Sequence, residues 1–230
     1  MRMRVAPLPH RYAVCAPEGM PIKTFYKDVF EEVFIFYHPF IKPKTIAYEL
    51  FMPENYPSRS EISEHCEKIT WKQFLELSGI QNFQHLDIGL RTLILGLNKK
   101  FANEDLANMI RVVCEKKKII APEEGCFPNF LMSDLLSAIK KEGHEWIWYG
   151  DEFCSERQLV FMDDLIVDHN IFPLRPKNLF THENEILITT HWDSHFSLLC
   201  GAKNVITSIV EASNLEGFYC TEHTKMYWSL

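Results

Sequence analysis

Ile186-Leu187-Ile188-Thr189-Thr190-His191-Trp192-Asp193-Ser194-His195-Phe196-Ser197-Leu198-Leu199-Cys200 is the stretch on which the fold turns. Its two ends, residues 186–190 and 196–200, are short runs of β-branched, aromatic and aliphatic side chains and read as strands. One unbroken strand over the whole stretch would far exceed the usual length of about five or six residues. Asp193-Ser194 is turn chemistry, because both side chains bond nearby backbone groups. The stretch is therefore expected to be a hairpin, two antiparallel strands joined through residues 191–195.

The rest of the second half follows the same pattern. Residues 145–149 and 157–162 read as strands around the polar connection Asp151-Glu152-Phe153-Cys154-Ser155. Residues 202–213 place Val205, Ile206, Ile209 and Val210 at helical spacing, and residues 218–221 and 225–229 read as a closing hairpin. The order β-β-β-β-α-β-β with short connections predicts a largely antiparallel sheet with one packed helix on one face.

The first half reads as helical. Residues 24–38 offer a Thr24 cap, with Phe25, Val29, Val33, Phe36 and Tyr37 near one helical face and His38-Pro39 as the stop. Residues 41–57, rich in proline, read as an irregular loop, and residues 60–68 as a short helix. Thr70 and Gln73 have capping-box spacing, and Gly79 closes that helix. Leu86, Leu90, Leu93, Ile94 and Leu97 form an apolar stripe, with Gly89 and Gly96 placed to admit a neighbouring backbone. Asn103 caps a further helix. Its first turn holds Glu104 and Asp105, Leu106, Met109, Ile110 and Val113 share a face, and Lys116-Lys117-Lys118 closes it. A loop over 122–128 leads into a helix over 129–142 that Gly143 stops. The fold class is α+β: a helical first half, then a largely antiparallel sheet with one packed helix. Without a flexible tether near Gly143, residues 1–230 read as a single continuous domain, its sub-structure being 1–143 (mainly helical) and 144–230 (β-rich).

Composition narrows the function classes. Apolar residues are 47% and charged residues 24% of the chain, with 17 Phe and 5 Trp, which describes a packed core rather than a disordered chain. The net charge of −7 opposes attraction to phosphate backbones or anionic membranes, so neither nucleic acid nor a membrane is expected as partner. No apolar stretch near the N-terminus resembles a signal-peptide core. The seven cysteines are dispersed without a C-x-x-C pair, which fits free thiols in a reducing cytoplasm better than disulfides or a cysteine zinc site.

Two readings compete at the histidine string. If residues 191–195 were extended, His191, Asp193 and His195 would share a face. Two imidazoles and a carboxylate suit a divalent iron or zinc ion, which could activate water or oxygen. If Asp193-Ser194 turn the chain, the histidines leave from different strands and the aspartate bonds turn backbone; this hairpin is the preferred reading, and no cofactor is then expected. The acidic groups Asp151, Glu152, Glu156, Asp163 and Asp164 read as solvated, with Arg157 as a partner for one of them. Ser194 lacks a G-x-S-x-G elbow, Cys154 and Cys200 read as buried thiols, and phosphate loops are absent. Three helices followed by two strands have the order of a winged helix, but residues 132–136 of the would-be reading helix form a packing face.

Four strings, Tyr12-Ala13-Val14-Cys15-Ala16-Pro17, His38-Pro39-Phe40-Ile41-Lys42-Pro43, Leu86-Asp87-Ile88-Gly89-Leu90-Arg91 and Thr190-His191-Trp192-Asp193-Ser194-His195-Phe196, together resemble a family of uncharacterised cytoplasmic proteins from Gram-positive spore-forming bacteria, a domain of unknown function. The resemblance spans nearly the whole chain from Tyr12 onward. It implies a bacterial cytosolic protein and carries over no activity, cofactor or catalytic residue. The expected role is non-catalytic binding of a protein or small-molecule partner, of the regulatory or toxin-neutralising kind, with a metal-dependent enzyme at His191, Asp193 and His195 as the alternative.

Overall fold

The computed structural model describes residues 12–52, 55–167 and 177–230. The expectations for the first residues of the chain, and for 53–54 within the 41–57 loop, lie outside them. In chain order the elements are α1 (Ile22–Phe25), β1 (Glu32–Tyr37), β2 (Phe40–Pro43), a 3-10 turn (Tyr48–Leu50), α2 (Arg59–His65), β3 (Cys66–Ile69), α3 (Trp71–Ser78), α4 (Phe83–Leu93), α5 (Glu104–Lys117) and α6 (Asn129–Lys141). They continue as β4 (Trp146–Gly150), β5 (Arg157–Phe161), α7 (Met162–Val167), β6 (Asn178–Thr181), β7 (Leu187–Thr190), β8 (Phe196–Gly201), α8 (Lys203–Ala212) and β9 (Gly217–Tyr219). The fold is α+β.

The sheet is built around β1. Seven strands lie in the order β5-β4-β6-β7-β8-β1-β9, each pair antiparallel, and β2 with β3 forms a separate ribbon. β1 pairs with β8 from Glu32↔Gly201 to Tyr37↔Phe196 and with β9 on its other side. The expected helix over 24–38 is thus a single short turn followed by a central strand. The reason is coverage on both faces. Val33, Ile35 and Tyr37 point into one buried cluster with Trp71, Leu86, Leu90 and Ile110, while Phe34 and Phe36 point into another with Leu135, Leu136 and Ile206. A strand buried on both sides reads as a continuous apolar run, which periodicity alone does not separate from a buried helix.

Helices therefore lie on both faces, not one. α3, α4 and α5 cover the first cluster; α6 and α8 cover the second. The buried face of α6, from Leu131 through Ile139, packs into this second layer, as the Met132 to Leu136 sequence suggests. Further expectations are corrected. Phe40–Pro43 is strand β2, where an irregular loop was expected, and the helix over 60–68 stops at His65, with Cys66–Ile69 continuing as the β3 partner. Met162 opens helix α7 rather than closing a strand, and β6 joins the sheet unannounced. The segment 225–229 is not a strand, because β9 pairs with β1 and the chain end docks instead through side chains of α4.

Signals at other helix ends hold, although α4 closes at Leu93, leaving Leu97 and Gly96 of the expected stripe beyond it. The Thr70–Gln73 capping box and the left-handed Gly79 (φ 74°) bound α3, and Ser58 with Glu61 forms a second box on α2. Each such cap contributes about 1 kcal/mol by satisfying orphan helix donors. Gly89 is the close approach anticipated on α4: a Cβ there would lie 2.7 Å from the Ile110 side chain and 3.2 Å from Leu106 of α5. α4 and its charged residues are thereby held firmly against α5.

Candidate functional site: a buried ion network beneath the β7–β8 turn

β7 and β8 form the expected hairpin, with Leu187↔Cys200 through Thr190↔Ser197 in register. The turn sits one residue earlier than Asp193-Ser194: the Ser194 N–H donates to the His191 carbonyl at 3.2 Å, so Trp192 and Asp193 are the central residues. The Ser194 hydroxyl lies 3.0 Å from the His191 carbonyl and 2.8 Å from that of Phe196, fully buried. It locks the turn. A second brace comes from the 122–128 loop, where the Gly125 N–H donates to the Ser194 carbonyl at 2.8 Å. Gly125 has φ +56°, and a Cβ there would overlap the Trp192 carbonyl, so only glycine lets the loop lie against the turn.

Asp193 does not bond turn backbone. Its Oδ1 meets His191 Nδ1 and the Arg91 Nη1 at 3.2 Å, and its Oδ2 accepts from the Tyr227 hydroxyl at 2.8 Å. Burial pushes the carboxyl up, but the His191 hydrogen bond, the Arg91 charge and Tyr227 together hold it below the usual carboxylate range. Arg91 is fully buried. Its Nε donates to Asp87 Oδ2 at 3.0 Å, one helical turn away on α4, and its Nη2 to the Met226 carbonyl at 2.9 Å. The guanidinium also lies 4.5 Å from the centre of the Tyr227 ring and 5.4 Å from that of Phe196. Asp87 is pushed up by burial, with Arg91 and the Ser229 hydroxyl (2.7 Å) opposing. At the outer end, His191 Nε2 stands 3.3 Å from Glu18 Oε1, and Tyr227 reaches the same oxygen at 3.2 Å.

The three sequence candidates therefore part company. His191 and Asp193 are brought together, joined by Glu18; among the described residues, these three offer ligand atoms within 4.8 Å of one another, a set to which His195 does not belong. His195 points inward, where burial and the nearby Arg91 charge push its imidazole down to about 3. It lies near His38, also pushed down to about 3 by burial and by His195, with its Nε2 2.8 Å from the Ser197 hydroxyl. Both rings are neutral core histidines. A cavity of about 30 Å³, enough for a water or two, borders His38, Ile41, Tyr56, Glu123, Cys126 and Asn129.

The acidic candidates are structural or solvated. Asp151 accepts from the Ser155 N–H at 2.7 Å, Asp163 pairs with Lys140, and Glu152, Glu156 and Asp164 are exposed. Arg157 donates to the Cys154 carbonyl and lies over Trp148. Cys154 donates to the Ala13 carbonyl at 2.9 Å, its thiol pushed up to about 11 by burial, and Cys200 is fully buried. Sequence reasoning missed Glu18, Asp87, Arg91 and Tyr227. One signal was available: Asp87 and Arg91 stand four apart, each next to a leucine of the apolar stripe, a charge pair placed to be buried.

The comparison with protein families follows this architecture from its first network residue to its last. A family model described as a protein of unknown function, DUF2711, matches residues 18–230. The chain belongs to the DUF2711 family. Within curated proteins it is similar to the "Uncharacterized protein YwbB" of Bacillus subtilis (strain 168), 22% identical over 174 residues, which cover 75% of this chain and 77% of that protein. No solved structure matches. Among the described residues, no helix is long and apolar enough to cross a membrane.

Proposed function

We propose that this member of the DUF2711 family is a bacterial cytosolic binding protein without catalytic activity, and that Trp192 is the centre of its recognition surface. One observation carries the reading. Trp192 is 54% exposed, while its neighbours His191, Asp193 and Ser194 are 8%, 1% and 0% exposed and tied into the network beneath. An indole held out on a rigid turn loses little freedom when it enters a partner's pocket, and tryptophan is among the side chains that dominate binding energies. The side chains with catalytic potential are engaged in holding the turn: Ser194 on carbonyls, Asp193 on Arg91, His195 buried and neutral. The partner is a protein offering an apolar pocket with a basic rim, matching exposed Glu18 and the net charge of −7. Regulation or neutralisation of such a partner is the role this surface fits. The same reading takes the chain as one continuous domain, supported by β1 lying between β8 and β9.

The test is capture of partners from the cytosol of the producing bacterium on the wild-type protein and on Trp192→Ala. A partner retained by the first and released by the second, with equal melting temperatures, is the expected outcome. Identical retention of every partner removes the reading.

A further inference from the structure

We propose that Nε2 of His191 and the carboxylate of Glu18 hold one divalent cation of the zinc or manganese class at the rim of the β7–β8 turn, with Asp193 as the outer-shell partner that orients the imidazole. The orientation of His191 carries this. Its Nδ1 is committed to Asp193 Oδ1, so in a neutral ring the Nδ1–H is donated there and Nε2 carries a bare lone pair. That lone pair faces Glu18 Oε1 at 3.3 Å. Two acceptors so close repel unless a positive centre lies between them. Ligands bound at about 2.1 Å in a tetrahedral shell stand about 3.4 Å apart, which is the spacing found here.

The hydroxyl of Tyr227 bridges the two carboxylates. It lies 3.2 Å from Glu18 Oε1 and 2.8 Å from Asp193 Oδ2, yet it has one proton to give. One of the two carboxylate oxygens is left without a donor from Tyr227. The charges agree. Glu18, Asp193 and Asp87 bring three formal negative charges to the network, and Arg91 one positive charge that is shared between Asp87 and Asp193. The remainder of two negative charges is what a divalent ion neutralises; a proton on His191 would neutralise half of it. One imidazole nitrogen with carboxylate oxygens suits zinc or manganese better than the all-oxygen shell of calcium. Asp193, whose Oδ1 meets both His191 Nδ1 and the Arg91 guanidinium, orients the imidazole from behind, as outer-shell partners of metal sites do.

The experiment uses the full chain without a histidine tag, stripped with chelator and titrated with zinc and with manganese by calorimetry and native mass spectrometry. One ion per chain is expected. Glu18→Gln, an exposed position whose change leaves the buried network intact, should weaken binding about tenfold or more, and cobalt(II) should show a ligand-field spectrum that changes in the same variant. Absence of a stoichiometric ion with both metals overturns the proposal. Binding that survives Glu18→Gln with an unchanged cobalt spectrum overturns the ligand set. Partner capture through Trp192 is read by a different residue and a different assay, so each proposal can fail without the other.

Discussion

Arg91 of α4 and Asp193 of the β7–β8 turn, 102 residues apart in the chain, form a buried ion pair with Nη1 3.2 Å from Oδ1. The arginine is shared with Asp87 on one side and with the Met226 carbonyl on the other, so one side chain joins a helix, a turn and the C-terminal segment.

Removing one partner of such a pair leaves the other charge buried and uncompensated. Asp193→Ala is expected to cost about 3–5 kcal/mol, against about 1 kcal/mol for a lost local turn hydrogen bond. Equilibrium unfolding in urea measures it. A loss near the lower figure would show that the pair contributes little to stability.

Stability should fall with acid well before the carboxylates titrate. His38 and His195 are pushed down to about 3 in the fold, whereas an unfolded histidine titrates near 6.5. Below about pH 6.5 the unfolded chain binds protons that the folded chain refuses, so stability is full above that pH and declines toward pH 3. The slope is about 1.4 kcal/mol per pH unit for each ring. Unfolding free energies measured between about pH 7 and about pH 4.5 test this, and His195→Asn should flatten the slope. A pH-independent stability in that window contradicts the buried neutral rings.

Deleting residues 225–230 should yield an insoluble or molten product. Met226 is fully buried, Trp228 packs 5.1 Å from Phe218 and 5.8 Å from Tyr37, and the Met226 carbonyl and Ser229 hydroxyl serve Arg91 and Asp87. Near-ultraviolet circular dichroism and a thermal melt read the outcome. A truncated chain with the wild-type cooperative melt would refute it.

All seven cysteines are free, and Cys114, Cys154, Cys200 and Cys220 are buried. Burial pushes the thiols of Cys15, Cys114 and Cys220 up to about 12, far from the thiolate that reacts. With a thiol reagent at neutral pH, Cys66 and Cys126 should label first, and all seven only in denaturant. Fast labelling of Cys200 or Cys220 in the native protein would contradict the packing.

The sequence by itself determined what depends on neighbours along the chain. Caps at Thr70 and Asn103 satisfy helix ends within three residues, and the β-branched runs around residues 191–195 dictate a hairpin whatever surrounds it. The free thiols and the family resemblance were likewise legible. What lies between distant segments was decided only by tertiary structure. Val33 and Phe36 fit a helical face as well as a strand, and the choice fell to β because helices cover both sides of β1. The site divides in the same way. His191 and Asp193 stand two residues apart and were visible as candidates. Their partners Glu18, Arg91 and Tyr227 come from three other segments, and His195 was excluded by the direction in which β8 turns it. Ion pairs and metal sites answer to distance in space, and a sequence records distance along the chain only.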